Sequence, residues 1–465
     1  MSGGKQPLLA PRDLDAPIAW RGGAPVSGRQ FLADAALQAE CLPVQGPVVN
    51  LCVDRYRFAV GVAAALMRGR TSLFPPNAMP DTLARLRGPY PGLTALCDDK
   101  SEAPAGLQVV PQAPAAAALP DPATVPHIDA ALQAACLLTS GSTGTPQPHG
   151  KGWGTLVHNV GAAAERLAHM LQRHDLSGLN IVATVPPQHM YGFESSVLLA
   201  LLGGAAFDAG RPFYPADIAE SLARLPGPRA LVTTPFHLKT LLLSGVALPP
   251  VDLVLCATAP LSPQLALQSE RSFGGPLIEI YGCTEAGQVA TRRTARSEIW
   301  RTFGELRIHA EHAVDGERFV VQGGHVDAPT PLADVLELQD ARHFRLLGRA
   351  NDLIHVAGKR TSLSHLNYHL NSIEGVQDGA FWLPNDVADG VVRSVVFVVA
   401  PGLAAAQVLA GLRTRIEAVF VPRRVVHVAS LPREATGKLT DRSLRELAEQ
   451  HLKGSGPVNA MGGLT

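Results

Sequence analysis

Between residues 139 and 146 the chain reads Thr139, Ser140, Gly141, Ser142, Thr143, Gly144, Thr145 and Pro146, directly after the apolar run AACLL. Small hydroxyl residues and glycines let backbone N–H groups and side-chain hydroxyls approach phosphate oxygens closely. No Gly-Lys-Ser/Thr follows, so this is not a Walker loop. Alone, a loop of this composition is an ordinary turn. It is not alone. Tyr281-Gly282-Cys283-Thr284-Glu285 follows the run PLIEI, and a Thr-Glu pair at a strand end offers a hydroxyl to a phosphate and a carboxylate to Mg²⁺. Gly348-Arg349-Ala350-Asn351-Asp352 comes next, with Gly358 beyond it. Last comes Leu431-Pro432-Arg433-Glu434-Ala435-Thr436-Gly437-Lys438, a single lysine on a glycine-containing loop. Such a lysine is a mobile positive charge when it acts and a solvated surface group when it does not.

Elements able to hold these segments are visible in the pattern. Residues 48–76 run apolar, then helical, then apolar, which predicts a βαβ unit in a sheet covered on both faces. Residues 104–126 are rich in Ala and Pro and are expected to form a surface connection. From 136 to 285 short apolar runs (IVATVP, ALVTTP, DLVLCAT, LIEIYG) alternate with helical stretches (SSVLLALL, FHLKTLLL, SPQLALQSE), an α/β pattern whose strand ends are the usual ligand site. Residues 303–347 resemble short antiparallel strands. After Arg349 a smaller α+β pattern follows, with VVRSVVFVVAP as strand and AAQVLAGLRTRIEAVF as amphipathic helix.

At 465 residues, 46% of them apolar and 17% charged, the chain suits more than one domain and a large core. Lys plus Arg and Asp plus Glu are both 40, a balance that leaves no electrostatic footprint for nucleic acid or an anionic membrane. No apolar run reaches the ~18–20 residues of a membrane span, and the N-terminus lacks the apolar core of a signal peptide. The six cysteines include no CxxC pair and read as buried, reduced thiols of a cytoplasmic protein. Histidines such as His149, His158 and His169 show no zinc-ligand spacing with carboxylates.

The four motifs, in this order, resemble those of the adenylate-forming superfamily of acyl- and aryl-CoA synthetases, adenylation domains and luciferases. The resemblance runs from about residue 48 to about 445. It implies a large N-terminal α/β domain with a distorted β portion (1–350), a small α+β C-terminal lid (351–453) and a disordered tail (454–465). It implies ATP and Mg²⁺ as cofactors. Residues 139–146 would cradle the β- and γ-phosphates, Thr284 would meet the α-phosphate, and Glu285 would help hold Mg²⁺. Tyr281 would pack on adenine near Ala257, Thr258 and Ala259. Asp334, in PLADVLEL, matches the ribose-binding acid, although its two preceding residues differ from the family pattern. Arg349 matches the arginine beside the ribose, and Lys438 the catalytic lysine. His189, in Pro187-Gln188-His189-Met190-Tyr191-Gly192, matches the segment bordering the acyl pocket. Tyr191, Gly192, Phe193, Cys256, Gly282 and Cys283 join it as expected pocket residues.

Two departures stand out. The phosphate loop of the family ends in lysine where this chain has Gln147; Lys151, four residues on, either supplies that charge or faces solvent. The family's hinge aspartate is Asn351, which still hydrogen-bonds and tolerates unusual φ/ψ. The compact chain and altered motifs resemble the stand-alone AMP ligases of aryl-polyene and xanthomonadin-type pigment clusters. That resemblance implies an aromatic, hydroxybenzoate-like acid activated as acyl-AMP and passed to the phosphopantetheine thiol of an acyl carrier protein in trans. An aryl- or medium-chain acyl-CoA ligase is the alternative within enzymes. A non-catalytic nucleotide or acyl-AMP binding protein is the alternative outside them.

Overall fold

The computed structural model describes residues 4–99, 106–117, 124–140, 146–313, 316–349, 353–356, 359–383, 394–433 and 439–452. The chain forms two compact units. The first comprises Met1–Thr258, Gln268–Leu332 and Leu338–Phe344; the second comprises Ala259–Leu267, Ala333–Glu337 and Arg345–Thr465. The main changeover thus falls at Arg345 rather than at residue 350, and two short stretches leave the first unit earlier.

In the first unit, Val48–Asn50 and Ser72–Phe74 pair in parallel across the helix Arg55–Met67, giving the expected βαβ unit. Asp54 caps that helix, its carboxylate accepting from the Arg57 amide at 2.9 Å. Six strands lie in the order Pro146–Gly152, Gln133–Ser140, Ser72–Phe74, Val48–Asn50, Thr94–Leu96, Gln108–Val109. The last of these lies inside the segment expected to be only a surface connection. Gln108 and Val109 pair with Thr94 and Ala95, so two residues of that proline-rich stretch extend a sheet edge. Beneath the sheet, Val49, Leu73, Leu83, Leu86, Ala95, Cys136 and Leu138 share a buried core.

The four apolar runs between 180 and 283 are strands Asn180–Ala183, Arg229–Thr233, Leu253–Cys256 and Leu277–Cys283, adjacent and parallel. Each is buried along almost its whole length, as strands covered on both faces must be. In register, Ala183 lies beside Val232, Thr233 beside Cys256, and Cys256 beside Glu279. The carboxyl ends of the first three therefore line up, and the Leu277–Cys283 strand runs on beyond them. Arg307–Ala313, Gly316–Gly323 and Val326–Leu332 form the expected antiparallel meander.

The second unit has its own core of Leu366, Leu370, Phe381, Val396, Val398, Val408, Leu412 and Phe420. Asp378–Trp382 runs antiparallel to Val395–Val399, which pairs in parallel with Arg424–His427. The expected long helix stops early. It spans Ala405–Arg413, is capped at Thr414, and gives way to a single 3₁₀ turn at Ala418–Phe420. Among the described residues no helix is long and apolar enough to cross a membrane. The cysteines are free; four are buried, but Cys41 is exposed at a helix end and Cys283 is half-buried, so the all-buried expectation fails at these two.

Candidate active site

The Leu277–Cys283 strand runs past its parallel neighbours and folds back as Gly287–Arg292, with Cys283 opposite Gly287. Thr284, Glu285 and Ala286 are the turn between them. The Glu285 side chain is half exposed there, an open carboxylate at the strand-end edge. Four contacts hold the turn. The Lys151 ammonium donates to the Glu285 carbonyl at 2.5 Å. His325 Nε2 lies 3.1 Å from the Ala286 carbonyl. His149 Nε2 stands 4.0 Å from Glu285 Oε1. The Gln288 amide donates to Ser195 Oγ at 3.1 Å.

Gly287 has φ +78°, and a Cβ there would stand 2.7 Å from Asn159 Nδ2 and 3.0 Å from Glu194 Oε1. Only glycine allows the returning strand to close over that buried pair. Asn159 donates to the Glu194 carboxylate. Glu194 is buried inside the fully buried segment Phe193–Leu198, a stretch of π-helix, and burial pushes its pKa up to about 8. Lys151 is buried as well, and burial lowers its pKa against the pull of Glu194, Cys283, Glu285 and Asp327.

The solvent-facing reading of Lys151 is therefore wrong. Gln147, His149 and Lys151 alternate along Pro146–Gly152 and share one strand face. Gln147 pairs with Thr139 in that strand, and four strand residues span about 13 Å, so the Lys151 backbone stands about that far along the strand from Gln147. Its ammonium reaches the Glu285 turn.

The other strand ends carry the acyl-side candidates. Arg55 is fully buried and donates to the carbonyls of Ala183 at 3.0 Å and Val185 at 2.9 Å and to Ser196 Oγ at 2.7 Å. It pins the chain just before His189. The Gln188 amide donates to the Cys52 carbonyl at 2.6 Å. His189 Nδ1 caps the next turn, accepting from the Tyr191 amide at 3.3 Å. His189 is exposed as a residue, yet desolvation by surrounding protein lowers its pKa. Tyr191 is buried and its hydroxyl donates to the Thr233 carbonyl at 3.2 Å. Cys283 borders the turn, its thiol pushed up to about 12 by burial. Gly282 is exposed at a bulge in the pairing with Gly287–Arg292.

Phe193 and Cys256 have no accessible surface. Phe193 packs with Phe58 and Phe74 at ring separations of 6.0 and 5.1 Å. As the structure stands these two back the site rather than line it. Gly192 is likewise buried, at the turn between His189 and Phe193. Tyr281 is 8% exposed and packs edge-on to Phe344 and tilted to Trp300, both at 5.7 Å. Ala257 is buried, while Thr258 is exposed with φ +80°. For a β-branched residue that left-handed backbone is strained, and such strain gathers at functional sites. Ala259 begins the stretch assigned to the second unit.

Thr139 and Ser140 end the Gln133–Ser140 strand, opposite Gln147 and Pro146. Gly141, Ser142, Thr143, Gly144, Asn351 and Lys438, and the tail expected to be disordered, lie outside the described residues. In the second unit Asp334 opens the strand Asp334–Leu338, half-buried, and Arg349 closes the strand His343–Arg349. Upstream of Lys438, Leu431 is buried in a small core with Ala380, Phe397 and Leu447, and Arg433 grips Asp378 with two bonds of 2.8 Å. Gly348 has φ +134° and a Cβ there would clash with Ser362 Oγ, while that hydroxyl donates to the Leu347 carbonyl at 2.8 Å.

Sequence reasoning missed Glu194, Asn159, His325, Arg55 and the Arg433–Asp378 grip. Glu194 had a signal: it is the single charge in the apolar stretch MYGFESSVLLALLGG, where an acid needs a partner.

A family model described as AMP-binding enzyme matches residues 88–314. A 4-coumarate–CoA ligase of Rhodobacter capsulatus is 30% identical over 308 residues, 65% of this chain and 74% of the relative. The chain belongs to the AMP-binding enzyme family. A second relative, the 4-coumarate–CoA ligase of Halorhodospira halophila, is 33% identical over 240 residues. That match spans 51% of this chain and 56% of the relative, little more than half its length. The ATP-bound structure of MatB from Rhodopseudomonas palustris covers 94% of this chain and 96% of its own at a TM-score of 0.77 and 20% identity, a likeness of fold.

The residues present in this AMP-binding enzyme suit magnesium–ATP. Mg²⁺ takes one or two carboxylates and completes its shell with phosphate oxygens and water. The open Glu285 carboxylate, beside the Thr284 hydroxyl, is such a donor. Among the described residues no group of three or more His, Cys, Asp or Glu forms a metal cage.

Proposed function

We propose that this chain activates an aromatic carboxylic acid with ATP and then hands the acyl group to a phosphopantetheine thiol. The substrate carboxylate oxygen bonds to the α-phosphorus, the bond to the β-phosphate oxygen breaks, and pyrophosphate leaves. The thiol then adds to the carbonyl of the acyl-AMP, loses its proton, and AMP departs with its electron pair. The aligned strand ends at Ala183, Thr233 and Cys256, with the Thr284–Glu285 turn at the end of the next strand, are the observation that supports this reading most.

The first step brings two anions together, so catalysis is chiefly positioning and charge. In this reading Thr284 offers a hydroxyl to the α-phosphate. Magnesium arriving with ATP supplies positive charge that offsets the phosphates, and Glu285 holds it. Lys438 adds a second positive charge between the carboxylate and the phosphate. By the resemblance, residues 139–144 would take the outer phosphates, Asp334 and Arg349 the ribose, and Tyr281 with Ala257, Thr258 and Ala259 the adenine. His189, Tyr191, Gly282 and Cys283 stand on the acyl side.

The names of both 4-coumarate relatives support an aromatic acid and favour coenzyme A as thiol carrier. The altered positions Gln147 and Asn351 favour an acyl carrier protein, as in the pigment-cluster ligases the chain resembles. Both acceptors present the same thiol. Incubation with ATP and an aryl acid, with either coenzyme A or a holo carrier protein, separates them by mass spectrometry of the thioester. Thioester and AMP are expected in equal amounts in one arm. ATP cleavage to ADP, or no thioester in either arm, would overturn the proposal.

A further inference from the structure

We propose that Lys151 and Glu194, with Asn159, form a buried brace that fixes the Thr284–Ala286 turn and thereby aims Glu285 at magnesium–ATP. This rests on the reading of Glu285 as the carboxylate that meets the metal. Lys151 stands 6% exposed, and its ammonium donates to the Glu285 backbone carbonyl. A buried cation needs nearby negative charge. Glu194, 2% exposed, is the buried carboxyl that acts on it most strongly, and Lys151 in turn favours the ionised form of Glu194 against burial. Glu194 is held in turn by Asn159, and both lie against Gly287, the first residue after the turn.

The brace thus acts on the turn from two sides. Lys151 pulls on the carbonyl of Glu285, and the Asn159–Glu194 pair supports the return strand two residues later. The next residue adds a third tie, from Gln288 to Ser195 beside Glu194. Glu194 sits where the helix widens into a π turn, a distortion common at functional sites. The geometry also gives the lysine at 151 a different task from that of a loop-tip lysine. It orients a metal-facing carboxylate from behind, as outer groups orient metal ligands in other sites.

Calorimetric titration of the full chain with ATP, with magnesium and then with EDTA, tests the brace without relying on turnover. Lys151→Met and Glu194→Gln should each weaken magnesium–ATP binding by about tenfold, the usual cost of losing a supporting partner behind a metal ligand. Binding of metal-free ATP should stay within twofold of wild type, which a general loss of structure would not allow. If Lys151→Met fails to fold, the double variant Lys151→Met/Glu194→Gln removes both buried ionisable groups; it should fold and keep the tenfold defect. A folded variant that binds magnesium–ATP like wild type, or loses metal-free ATP equally, overturns the brace. Glu285→Gln separates the two claims. A defect in Glu285→Gln without one in Lys151→Met sinks the brace alone. No magnesium-dependent defect in Glu285→Gln sinks the reading of Glu285 on which the brace rests.

Discussion

His325 donates to the Ala286 carbonyl from a buried position, and burial lowers its pKa to about 4. Folding therefore favours the neutral ring. The stability this brings is present above the ordinary histidine range near 6.5 and is lost as pH falls through 4. At pH 5 the loss should be about 1–2 kcal/mol relative to pH 7.5. His325→Gln keeps a donor without the titration, so its acid limb in thermal melts should be shallower than wild type; superimposable limbs would contradict this. Lys438 is the other residue with a sharp expectation. Lys438→Ala should slow acyl-AMP formation by on the order of 10²-fold or more, the worth of one well-placed charge in the transition state. It should still convert synthetic acyl-AMP to thioester. Near-normal adenylation in single-turnover assays would remove the lysine from its role.

The segment leading to Lys438 is anchored by an element the motif does not mention. Arg433 bonds Asp378 at the start of the Asp378–Trp382 strand, and Leu431 sits in the core beside it. Asp378→Ala should destabilise the second unit by about 1–2 kcal/mol, the range for a half-buried bidentate pair. It should also slow adenylation more than thioester formation, since Arg433 lies five residues before Lys438 in the chain; equal slowing of both steps would show a general defect. Much at this scale was legible in advance. The runs IVATVP, ALVTTP, DLVLCAT and LIEIYG became adjacent parallel strands because continuous apolar runs have one stable place, inside a covered sheet. The brace was not legible in the same way. Lys151, Asn159 and Glu194 lie on a strand, a helix and a π turn, and only the tertiary fold brings them beneath one hairpin. Phe193 shows the same limit: His189 is exposed while Met190, Tyr191, Gly192 and Phe193 are all buried, a division that periodicity alone does not give.

At the level of the whole molecule, two units with separate cores match the fold of AMP-binding enzymes. In the lid reading, thiol transfer requires the smaller unit to turn about Asn351. Proline fixes φ and limits such a turn. Asn351→Pro should slow transfer from acyl-AMP to the thiol more than it slows acyl-AMP formation, as rapid-quench measurement of each half-reaction would show. Equal slowing would move the pivot elsewhere. The central claim, ATP-driven activation of an aryl acid, is tested most directly by pyrophosphate exchange into ATP without any thiol. Benzoates, cinnamates and fatty acids are offered in turn. The account expects exchange that depends on magnesium and on an aromatic acid, with hydroxybenzoates or cinnamates strongest. A folded protein that binds magnesium–ATP yet exchanges no pyrophosphate with any acid would contradict it, and would mark the chain as a nucleotide-binding protein without catalysis.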